Sequence, residues 1–159
     1  NEDGLKQAAL ERYQSTILAP LADILTDDLS FDQALRKLTD FVLLDRKAHG
    51  LPAGCLQVAT CRSKHTLGKR ARESVHKFSD QTLMGLEQWI DRAKSNGQFA
   101  VEIPTRTAAL YVDAQIATAM ELQQQGVTQK ELEGVFKLAL TVFFEKRRPI
   151  LDQIFSEFI

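Results

Sequence analysis

Two segments near the C-terminal end of the chain are apolar on more than one face, and this constrains the fold more than any other feature. Over residues 104–125 the apolar positions are Ala108, Leu110, Tyr111, Val112, Ala114, Ile116, Ala117, Ala119, Met120 and Leu122. Over 128–146 they are Leu132, Val135, Phe136, Leu138, Ala139, Leu140, Val142, Phe143 and Phe144. A helix lying on the surface of a monomer needs a single apolar stripe, so these two must be covered on two sides. The connection Gln124-Gln125-Gly126-Val127 is short enough to force an antiparallel hairpin. Such a hairpin is either the centre of a monomeric bundle or a shared surface, one face turned inward and the other towards a second copy. Small residues at Ala114, Ala117, Thr118 and Ala119 allow close approach and favour the two-fold, four-helix arrangement. The contacts expected in that homodimer are Ala117, Met120, Val135, Phe136, Ala139 and Phe143.

Helical spacing runs through the rest of the chain, and no stretch alternates with the period of a strand. A first helix is predicted from residue 5 towards 25, kinked at Pro20, which lacks a donor and crowds the preceding turn. Ser30 with Gln33 forms a capping-box pattern that opens a second helix, and His49-Gly50-Leu51-Pro52 closes it. The small, apolar stretch 53–61 reads as a short buried helix. A long helix follows over 66–96, ended by Gly97, with Ala71, Val75, Phe78, Thr82, Leu86, Trp89 and Ala93 on one stripe. Thr128 with Glu131 is a second capping box, and Arg147-Arg148-Pro149 separates its helix from a short apolar one over 150–159. The expected fold is an all-α bundle of about six or seven helices in a single domain.

Charge limits the function. With 20 basic and 21 acidic residues among 159, the formal charge is −1, whereas a domain gripping DNA phosphates usually carries a basic excess. Apolar runs are too short and too often interrupted by charge for a membrane span, so no membrane partner is expected. Two cysteines, Cys55 and Cys61, point to a reducing compartment, the cytoplasm, rather than to a disulfide scaffold.

Four features in order then resemble the C-terminal half of TetR-family transcriptional repressors. Leu5 to Tyr13 (LKQAALERY) resembles the helix that follows the family's DNA-binding motif, and Gly54-Cys55-Leu56 its short segment before the longest helix. Gly97-Gln98-Phe99 resembles the break after that helix, and the final pair is spaced like the dimerisation helices. The resemblance covers essentially the whole chain. It implies dimerisation through the last pair and effector binding within the bundle. It also implies a helix-turn-helix upstream that these residues do not include, so operator DNA is contacted by no residue of this chain.

Chemical candidates are few. Cys55 and Cys61 read either as a thiol sensor, with Arg62, Lys64 and His65 lending positive charge to Cys61, or as small buried hydrophobes, the preferred reading. Cys55, Cys61 and His65 match no standard zinc spacing, so no metal or cofactor is expected. No Gly-x-Ser-x-Gly elbow, phosphate loop or His-Glu-x-x-His motif suggests an enzyme. The basic residues Arg62, Lys64, Lys69, Arg70, Arg72 and Lys77 are interspersed with acids and read as a solvated face. For a small, largely apolar organic effector, the pocket candidates are Phe41, Cys61, Phe78, Thr82, Tyr111 and Gln115, aromatic or mildly polar residues on core-facing stripes. The expected function is effector sensing and dimerisation in a TetR-like regulator, with release from the operator on ligand binding. The alternatives are a ligand-free helical interaction module and a cysteine-based redox sensor.

Overall fold

The computed structural model describes residues 1–26 and 28–141. Within them seven α-helices and two short 3₁₀ turns form an all-α bundle, with no strand among the described residues. The helices are α1 (Glu2–Thr16), α2 (Ala19–Thr26), α3 (Phe31–Val42), α4 (Leu56–Arg62), α5 (Lys69–Ser95), α6 (Thr105–Gln124) and α7 (Gln129–Thr141). The segment 150–159 and the end of the helix predicted over 128–146 lie outside the described residues. Among the described residues, no helix is long and apolar enough to cross a membrane.

Local signals place most boundaries. Ser30 Oγ accepts from Gln33 N–H while the Gln33 side chain accepts from Ser30 N–H, so both halves of the capping box at α3 are made. At α7 the same reciprocal bonds link Thr128 and Glu131. The start of the chain departs from expectation. The helix predicted over 5–25 is two helices, because α1 ends at Thr16 with Ile17 as its C-cap, and Leu18 is buried in the core. Pro20 falls in the first turn of α2, where an amide N–H has no helical partner to lose, so it starts a helix instead of kinking one. The long helix also begins later than residue 66, since Lys64–Thr66 is a separate 3₁₀ turn.

Asp3 on α1 caps α5 from outside. Its carboxylate accepts from the backbone N–H groups of Arg70 and Ala71 at 3.0 and 3.1 Å, which holds its pKa below the ordinary value. Gly68 at the N-cap makes this possible, since a Cβ there would sit 2.3 Å from the Asp3 carboxyl carbon. α1 is thereby fastened along α5, over a small cluster of Leu10, Ala71 and Val75.

The main core lies between α2, α3, α5, α6 and α7 and is centred on Leu38, Val42, Leu86, Ile90, Val112 and Met120. Phe31 stacks on Trp89 with ring centroids 5.0 Å apart and meets Phe99 edge-on at 5.8 Å, closing one end. The hairpin of α6 and α7 is only partly a surface. Met120 and Phe136, expected at a dimer contact, are 1% and 2% exposed and belong to the core of the chain itself. Ala117 and Ala139 are half-buried, and Val135 is exposed. Phe143 lies outside the described residues. The apolar side chains left uncovered on this hairpin are Leu110 and Ala114 on α6 and Val135 and Leu138 on α7, with Leu138 73% exposed.

Candidate functional site

Five helices surround an apolar cavity of about 200 Å³. Leu18 and Leu21 come from the α1–α2 break and α2, Phe41 from α3, and Cys55, Gln57, Val58, Cys61 and Arg62 from the start and body of α4. The fourth wall is Phe78, Ser79 and Thr82 on α5, and the fifth is Asp113, Ile116, Ala117 and Met120 on α6. Phe78 and Thr82 reach it because they are one turn apart on the stripe that buries α5.

Four of the six residues expected at a pocket, Phe41, Cys61, Phe78 and Thr82, line this cavity from α3, α4 and α5. Tyr111 and Gln115 do not. At about 100° per residue, Asp113, Ala117 and Met120 fall within about 60° of one another on α6, and Tyr111 and Gln115 lie on the opposite side. The Tyr111 hydroxyl instead donates to the Ala139 carbonyl at 2.6 Å, tying α6 to α7.

Gln57 has the densest polar surroundings on the wall. It is buried on a short helix, and its amide nitrogen donates to the Val75 carbonyl at 3.0 Å and to Ser79 Oγ at 3.3 Å. Its amide oxygen accepts from Gln14 Nε2 of α1 at 2.9 Å. One side chain thus joins α1, α4 and α5 beside the cavity. The signal was present in the sequence, since a polar residue inside the apolar run 53–61 needs partners if buried.

Cys61 Sγ lies 3.4 Å from Ser79 Oγ and 3.6 Å from Gln57 Nε2. Arg62, which the sequence suggested as a source of positive charge for that thiol, is paired with Glu121 across to α6. His65 is exposed, as are His49 and His76. Among the described residues, no group of three or more His, Cys, Asp or Glu could hold a metal ion.

Nothing in the sequence marks Asp113, because an acid on a helix ordinarily faces water. Here it is half-buried on an apolar wall, with no hydrogen bond or ion pair to any described residue, and burial raises its carboxyl above the ordinary value.

Cys55 also borders a second cavity, of about 350 Å³, lined by Tyr13, Ile17, Arg46 and residues 51–56 among others. Burial, together with the neighbouring Cys55, pushes the Tyr13 hydroxyl up to about 12. Arg46 is 2% exposed. Its guanidinium donates to the carbonyls of Phe41, Val42 and Leu44 and to Gln123 Oε1 at 3.3 to 3.5 Å, and lies 5.7 Å from the Phe41 ring centroid. The loop between these cavities is seated on α6 through Gly54, whose N–H donates to Gln123 Oε1 at 3.1 Å. Its φ is +81°, and a Cβ there would meet Gln124 Cβ at 2.8 Å and the Met120 carbonyl at 3.1 Å, so only glycine fits.

No family model, no curated protein and no solved structure matches the chain.

Proposed function

We propose that the chain is the effector-binding and dimerisation half of a TetR-like transcriptional regulator acting in the cytoplasm. The observation that carries this reading is the apolar cavity lined by five helices, with α1 fastened to its wall by the Gln14–Gln57 bond. A cavity with mostly apolar walls and a few placed polar groups is the usual form of a small-molecule site within a bundle. In the order of helices resembling that family, α1 connects sensing to DNA reading, and two features of the cavity bear on α1. Leu18 lines it directly after the end of α1, and Gln57 holds α1 from the side. A molecule favouring one setting of α1 shifts the equilibrium by no more than its difference in affinity between the two. The hinge is then at Ile17 and Leu18 rather than at Pro20.

The uncovered residues Leu110, Ala114, Val135 and Leu138 support pairing of the α6–α7 hairpin with a second copy. Operator binding is assigned to no residue of this chain, in keeping with its balanced charge.

Light scattering on the purified chain tests the reading. The expected result is a homodimer that Leu138→Asp converts to a monomer with unchanged helicity. A wild-type monomer with the hairpin open to solvent would favour the ligand-free interaction module instead. For the cavity, a screen of small apolar compounds should raise the melting temperature of the wild type. Thr82→Trp, which fills the space, should abolish that rise.

A further inference from the structure

Two charged side chains reach the wall of the cavity, and their circumstances differ. Arg62 is neutralised by Glu121 of α6. Asp113, on the same helix as Glu121, has no hydrogen bond or ion pair to any described residue. A carboxylate held beside apolar surface loses hydration and, without a partner, gains nothing in return. Of the other polar side chains lining the cavity, Gln57 is engaged with Gln14, Val75 and Ser79, and Cys61 with Ser79, while Thr82 on α5 offers a neutral hydroxyl and no charge. Among the described residues, Asp113 therefore brings an uncompensated negative charge to an apolar space.

We propose, building on the ligand-binding reading above, that this cavity takes a small organic cation. The ligand class is an amine or quaternary ammonium whose charge pairs with Asp113 and whose apolar body lies against Ile116 and Met120. A neutral molecule of the same shape would leave the carboxylate further desolvated, and an anion would be repelled by it. Phe78 on the facing helix offers an aromatic ring, a surface that also attracts cations. The cavity, about 200 Å³, lies below the roughly 300–1,000 Å³ of drug-sized sites, so the cation is small.

Calorimetric titration of the full chain with three probes of matched shape tests this: phenethylamine, propylbenzene and hydrocinnamate, which are cationic, neutral and anionic. Phenethylamine is expected to bind about tenfold or more tighter than propylbenzene, the gain typical of a hydrogen bond to a charged group. Asp113→Asn should remove that advantage and leave propylbenzene binding unchanged. If propylbenzene matches the amine in the wild type, or hydrocinnamate binds best, the cation assignment is overturned while the cavity stands as a ligand site. If none of the three binds, and Thr82→Trp leaves every titration flat, both the cation assignment and the ligand-binding reading fall.

Discussion

The two cavities that share Cys55 each hold one buried or half-buried charge, and the two charges are treated in opposite ways. Arg46, almost wholly enclosed, has its guanidinium spread over three carbonyls at the end of α3 and over Gln123 of α6. Among the described residues no acid pairs with it and its buried Nε has no hydrogen-bond partner, but a cation at a helix C-terminus is favourable to the helix dipole and its terminal nitrogens cover carbonyls that have no helical partner. Asp113 is less enclosed yet has no such acceptance by the fold. The depth at which a charge is buried therefore says little about function, and its set of partners says more. A charge whose terminal nitrogens the fold has paired with carbonyls and an amide belongs to the architecture. One left over among the described residues points to something that they do not contain.

The largest effect expected from this contrast is at Arg46. Arg46→Met should lower the unfolding free energy by about 2–3 kcal/mol in urea titration, the scale for hydrogen bonds to a charged group. A loss below about 0.5 kcal/mol, the size of an ordinary surface change, would place Arg46 among the unsatisfied charges and break the comparison. Gln57→Leu removes a satisfied polar group from the first cavity without changing its volume greatly. The expected loss is about 1–2 kcal/mol, and hydrogen exchange should quicken in α1 before α6. Asp113→Asn, by contrast, should change stability by no more than about 0.5 kcal/mol at neutral pH, because no partner is lost. A destabilisation well beyond that would reveal a structural role for the carboxylate.

The smallest effect sharpens the contrast through pH. Burial raises the Asp113 carboxyl in the folded state, so folding binds protons there that the unfolded chain has already released. Its contribution is a penalty that grows as pH rises above the ordinary carboxylate value and vanishes below it. The variant Asp113→Asn should therefore gain slightly on the wild type between acid and neutral pH, measured by melting temperature in both. Cationic probe affinity should climb over the same range as Asp113 loses its proton. The groups facing Asp113 across the cavity are Arg62, already paired with Glu121, and the thiols of Cys55 and Cys61; α2, α3 and α5 contribute no charged side chain to its lining.

Local chemistry made much of the fold legible. The capping pairs Ser30–Gln33 and Thr128–Glu131 are short-range devices whose geometry needs only one helical turn, and both formed as their spacing predicts. The stripe through Phe78 and Thr82 likewise follows from period alone. What could not be read was rotational phase. α6 is apolar nearly all round, so nothing in its sequence separates the face carrying Asp113 and Met120 from that carrying Tyr111 and Gln115. That choice belongs to neighbours distant in the chain. Arg46 escaped notice for a related reason, since Gln123 lies far along the chain and its remaining partners are backbone carbonyls, which no sequence displays. The periodic pattern that runs through Pro20 is that of one kinked helix, although a proline is equally at home in the first turn of a new one.

Gly54 has an effect on a space it does not line. Its bare α-carbon lets the loop before α4 lie flush on α6, against the Met120 carbonyl and Gln124, one turn along from the Met120 side chain on the same face of the helix. The Met120 side chain, from the same residue, forms part of the inner wall. A single methyl group added at position 54 would have to displace α6 or the loop, and the dimensions of the chamber would change with it. The volume open to a guest is in this way gauged from beyond its lining, by a hydrogen atom at a position that borders the neighbouring cavity instead.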